Sequence, residues 1–146
     1  MPFRVTDPDF RLAVEAALAA LRAGDAATAA ATLRPLVDSI PEDRFPWTAL
    51  ANAEIMLERL PAAAEVLDRR LAHAPRDLAA LLQRGWLHEK MGNVRAAASF
   101  YQAGRNQASV VGAPPQLETL LKHGEQFCAN ANQLFSAQLA QATVGP

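Results

Sequence analysis

The chain has 146 residues, and three histidines and one cysteine are the side chains in it best suited to catalysis or metal binding. His123-Gly124-Glu125 carries the His-x-acid spacing of half a two-histidine, one-carboxylate iron site. No histidine follows His123 to complete that set, and the apolar spacing around it predicts a helix, whereas such a site is built on neighbouring strands. Cys128 has Leu121, Ala131 and Phe135 around it at helical spacing, the setting of a core thiol rather than a nucleophile. His73 falls where a helix should end, and His88 at a helix position suited to packing or hydrogen bonding. Gly24 and Gly92 read as helix terminators, and no GxGxxG or GxxxxGK[ST] pattern is present to cradle a phosphate. The expectation is a chain that needs no metal or cofactor and is not by itself an enzyme.

Composition narrows the partners. The formal charge is −1, from 14 basic and 15 acidic residues, and the basic ones are scattered, so a phosphate backbone would meet little net attraction. No apolar run approaches the roughly 20 residues a membrane helix needs, and the opening MPFRVTDPDF lacks a charged-then-apolar signal pattern. One cysteine excludes an internal disulfide and suits a reducing compartment, the cytoplasm. With 51% hydrophobic residues, much alanine and few β-branched side chains, the chain reads as all-helical.

What would position partner-binding residues is a repeated unit. Ala29, Ala63 and Ala97 stand 34 residues apart, and the same interval carries Ala17, Ala51 and Gly85, then Leu33, Leu67 and Tyr101, and the pair Pro41 and Pro75. Gly24 and Gly92 stand two intervals apart. Small residues at such positions let helices approach closely, and Trp47, Leu67 and Tyr101 would fill the space between neighbouring pairs. The sequence predicts seven helices. The first starts near Pro8 with Asp7 as cap and ends at Ala23-Gly24. The second follows Asp25 and is kinked by Pro35. Asp43 caps the third, Pro61 opens the fourth, and Asp77 and Asn93 cap the next two.

Residues 10–111 resemble the tetratricopeptide repeat (TPR) family, in which such pairs stack into an α-solenoid. In that frame the repeats run 10–43, 44–77 and 78–111, residues 112–115 form a linker, and a helix over about 116–142 covers the open end of the array, all in one domain. That last helix carries an apolar stripe of Leu117, Leu120, Leu121, Phe127, Cys128, Ala131, Leu134, Phe135 and Leu139. Read as a cap it leaves a monomer; the alternative is a seam with a second chain.

The resemblance also implies a function. Such arrays hold a peptide or protein segment in the concave face lined by the first helix of each repeat. The family's groove positions fall here on Arg11, Glu15 and Leu18, then on Phe45, Thr48, Asn52 and Ile55, then on Leu82, Gln83, Trp86, Glu89 and Lys90. Trp86 is the candidate anchor; the alternative is that it packs against the final helix. Some members grip a C-terminal carboxylate through a clamp of lysine, arginine and asparagine. Here Asn52 fits that clamp while Ala49, Ala79 and Gln83 do not, so a mixed, partly apolar groove is expected instead. Over nearly its whole length the chain also looks like the N-terminal array of bacterial aspartyl/asparaginyl β-hydroxylase-type proteins, through the run Ala96 to Ala103, the Pro114-Pro115 break and the final helix. That likeness implies a substrate-recruiting part of, or an accessory to, an iron- and 2-oxoglutarate-dependent oxygenase.

Overall fold

The computed structural model describes the backbone of residues 8–39 and 44–143 and the side chains of 8–39 and 46–137. The predicted caps Asp7 and Asp43 lie outside these residues, as do Pro41 and the side chains of Phe45 and Leu139. Among the described residues the structure is all-α, as expected. The helices are α1 (Pro8–Arg22), α2 (Ala26–Ser39), α3 (Arg44–Met56), α4 (Leu60–His73), α5 (Leu78–Lys90), α6 (Val94–Val111) and α7 (Glu118–Thr143), with a single 3-10 turn at Pro115–Leu117 before α7. The starts of α2, α4 and α6 are 34 residues apart. The chain divides into two compact units, Met1–Ala80 and Leu81–Pro146.

The same turn joins the helices of each pair. Asp25 N–H bonds to the Ala20 carbonyl and Gly24 N–H to that of Leu21; Arg59 and Glu58 repeat this with Glu54 and Ile55, as do Asn93 and Gly92 with His88 and Glu89. Each is a Schellman turn, whose penultimate residue must be left-handed. Gly24 and Gly92 supply that conformation at φ 79° and 82°, but the middle turn puts Glu58 there at φ 59°. A side chain at that position costs energy that glycine does not.

In the first unit, α1 packs on α2, α2 on α3 and α3 on α4. Ala17, Ala29, Leu33, Ala51, Ala63 and Leu67, all read from the interval, are buried. Trp47 is fully buried, its ring covered by the Arg69 guanidinium at 5.1 Å, which Asp38 holds at 2.7 Å. The buried Glu54 carboxylate takes a 2.6 Å bond from Arg34, linking α2 to α3. Asp25 caps α2 by accepting from the Thr28 N–H at 3.1 Å. Asp77 caps α5 through the Ala80 N–H and binds Arg70 Nε at 2.6 Å, with both side chains almost wholly buried. Pro35 interrupts one backbone bond, yet α2 runs on to Ser39.

In the second unit α7 packs against α6. Buried Gly104 gives room to Leu82: a Cβ built there would lie 2.6 Å from the Leu82 Cδ2. Tyr101 is buried between two glycines, because a Cβ at Gly85 or Gly124 would come within 2.8 or 2.7 Å of its ring. Along α7 the buried line runs Gly124, Cys128, Ala131. Leu134, expected in the stripe, stands 47% exposed instead, one residue off the position that Phe135 takes at the edge of the contact.

Candidate functional site

In the first unit, Thr48, Asn52 and Ile55 are spaced four and three apart on α3 and so share one face; Asn52 is exposed, and Thr48 and Ile55 are half-buried. On α1, Arg11 and Glu15 are exposed and Leu18 half-buried. Buried Leu50, Ala51, Ala53 and Glu54 hold the opposite side of α3 in the core, which fixes the outward direction of the first three.

In the second unit, Gln83, Trp86, Glu89 and Lys90 follow one another along α5. Trp86 is half-buried, and the Lys90 ammonium sits 5.1 Å from the centre of its ring. That contact keeps a cation beside an aromatic surface. Leu82 corrects the expectation. It is fully buried, because the missing side chain of Gly104 draws it inward, and it supports this helix from behind rather than meeting a ligand.

Glu89 also has work within the fold. Its Oε2 accepts the Tyr101 hydroxyl proton at 2.7 Å and lies 2.8 Å from His123 Nε2, so one carboxylate oxygen ties α5 to α6 and α7. Burial pushes this carboxyl up, but the bonds from Tyr101 and His123, with the charges of His123 and Lys90, outweigh it and hold the group below the usual range. The Tyr101 phenol is pushed far up, first by its burial and then by the carboxylate beside it. The sequence offered one signal for this cluster, since Glu89 and His123 are separated by the 34-residue interval.

The other chemistry-capable residues are structural. His88 stacks on Phe100 at 5.4 Å and lies 3.3 Å from the Asn93 amide, the packed role expected of it. That contact takes the Asn93 side chain away from α6, which it was expected to cap and does not. His73 ends α4, its ring 6.2 Å from that of Trp47. Cys128 Sγ lies 3.5 Å from the Ala98 carbonyl oxygen, and burial pushes the thiol up against the opposing pull of Arg105, away from the thiolate a nucleophile needs. Among the described residues no cluster of three or more His, Cys, Asp or Glu could hold a metal ion, and no helix is long and apolar enough to cross a membrane.

No family model matches the chain, and no curated protein matches it. Solved structures do. The TPR2B domain of yeast Sti1 in its Hsp70 complex superposes with a TM-score of 0.75 at 16% identity, over 88% of this chain and 99% of that one. Pseudomonas aeruginosa PcrH, in complex with the chaperone binding region of PopB, gives 0.73 at 15%, over 86% and 99%. The Yersinia enterocolitica type III secretion chaperone SycD, in complex with a peptide of the translocator YopD, gives 0.77 at 9%, over 90% and 98%. What this chain shares with them at such identities is a backbone plan, and that plan is the tetratricopeptide-type helical repeat.

Proposed function

We propose that the chain is a peptide-binding module that holds a segment of a partner protein without altering it chemically. The candidate contact residues lie on the first helices of the repeats: Phe45, Thr48, Asn52 and Ile55 on α3 in the first unit, and Gln83, Trp86, Glu89 and Lys90 on α5 in the second. The observation that carries this reading is Trp86, a half-buried aromatic on a repeat's first helix with a lysine held over its ring. Rigid aromatic anchors of this kind supply much of the energy of an interface. With the Glu89 carboxylate engaged by Tyr101 and His123, Lys90 is the charge this face offers a ligand. The three similar structures support the reading, since each is described with a peptide or client segment bound. They are complexes with Hsp70, with the chaperone binding region of PopB and with a YopD peptide, and they give the hydroxylase-associated reading no support. A monomer in the cytoplasm is part of the proposal.

The test is a pull-down from the native host with peptide mapping, followed by calorimetry on the mapped segment. Trp86→Ala should weaken binding by about 1–2 kcal/mol while helical content is unchanged. Unchanged affinity would remove α5 from the site, and turnover of the segment by the purified chain would overturn the non-enzymatic reading.

A further inference from the structure

We propose that the pocket between the start of α6 and the outer part of α7 is a separate recognition site for an acidic, apolar peptide segment. A carboxylate side chain of the segment pairs with Arg95, and a neighbouring aliphatic side chain packs on Leu134 and Phe135. This depression is open to solvent, has a volume of about 480 Å³ and is lined by Asn93, Val94, Arg95, Ala96, Leu134 and Phe135. Four of its six lining residues are apolar, and Leu134 stays 47% exposed where the other described large apolar side chains on α7 are at least half covered.

Charge complementarity decides the occupant. Arg95 is the one charged residue of the lining, and its guanidinium lies 4.3 Å from the centre of the Phe135 ring. A guanidinium lying over an aromatic ring still carries N–H donors, and these match a carboxylate in geometry. Arg34, Arg59, Arg69, Arg70 and Arg105 each have a carboxylate within 4 Å. Arg95 has none among the described residues, as is also true of Arg11, Arg22 and Arg76, but it alone of these four lies over an aromatic ring. An exposed arginine lying over an aromatic ring, beside apolar side chains and without an acid, favours a ligand that brings both an acid and an aliphatic group. A free cation or a polar segment would leave one half of the site unused. This inference does not depend on Trp86 or on α5.

The test uses the full-length, isotope-labelled chain and two blocked tripeptides, acetyl-Leu-Glu-Leu-amide and acetyl-Leu-Gln-Leu-amide, titrated by NMR at low salt. The expected result is shifts at the amides of Asn93 to Ala96, Leu134 and Phe135, with the glutamate peptide bound about threefold or more tightly than the glutamine one. That gap should close at roughly 1 M salt, where charges are screened within about 3 Å. Arg95→Gln should bring the two peptides level, and Trp86→Ala should leave the gap as it is. Should the Arg95 variant fail to fold, the salt dependence of the unaltered chain carries the test. Equal affinity for both peptides, or shifts confined to other residues, overturns the proposal. So do shifts at these residues on raising protein concentration without peptide, because a second copy of the chain would then be the occupant.

Discussion

His123 Nε2 and Glu89 Oε2 meet at 2.8 Å, from α7 to α5, on the same oxygen that accepts the Tyr101 hydroxyl proton. Because these donors hold the Glu89 carboxyl below its usual range, its ionised form stabilises the fold at pH values above the ordinary glutamate range. That stabilisation is lost as the pH falls through the lowered value in the folded state. Glu89→Gln should therefore cost about 1 kcal/mol at pH 7, with the gap to the parent chain narrowing steadily below about pH 4.5. Thermal melts of both proteins from neutral to acid pH check this; a gap independent of pH would mean that Glu89 contributes packing and not charge.

Gly124 should tolerate no side chain. Alanine gains about 1 kcal/mol of helix propensity over glycine, but its Cβ would fall 2.7 Å from the Tyr101 ring. Gly85 closes in on the same ring and prevents it from yielding. Overpacking of this kind costs about 1–3 kcal/mol, so Gly124→Ala should lower the melting temperature. A rise would show that Tyr101 can move.

At Glu58 the opposite is expected. A left-handed residue with a side chain costs about 1–2 kcal/mol, and glycine gives back about 0.5–1 through the freedom of the unfolded chain. Glu58→Gly should then stabilise the protein by about 0.5–1 kcal/mol, which differential scanning calorimetry would read as a melting temperature higher by about 1–4 °C.

Asp77 is the polar residue whose loss should hurt most. Asp77→Ala removes the cap on α5 and the carboxylate bound to the Nε of buried Arg70, and breaking a buried pair from one side costs up to about 3–5 kcal/mol. Asp77→Asn keeps a capping oxygen and should fall between the two in urea denaturation. Equal loss in both variants would assign the whole effect to the ion pair.

The repeat was legible because close packing punishes any change in volume at the helix contacts. Ala17, Ala29, Leu33, Ala51, Ala63, Leu67, Ala97 and Tyr101 follow one interval and are buried without exception. Choices among nearby partners were less legible. Nothing in the order of residues says that the Asn93 amide turns to His88 rather than to the helix it precedes. Leu82 was misplaced for a related reason: the family's groove positions put it with the ligand-facing residues, while the space beside Gly104, 22 positions along the chain, took it into the core. Arg95 carried no signal, because its meaning depends on Phe135, a residue of another helix.

The three Schellman turns at Gly24, Glu58 and Gly92 are made from bonds within six neighbouring residues, so each bend travels with its own stretch of chain. A gene that copied one such stretch in tandem would copy the bend with it. Lengthening or shortening by whole units is therefore open to this molecule at little structural cost, while an insertion of any other length would have to rebuild a corner.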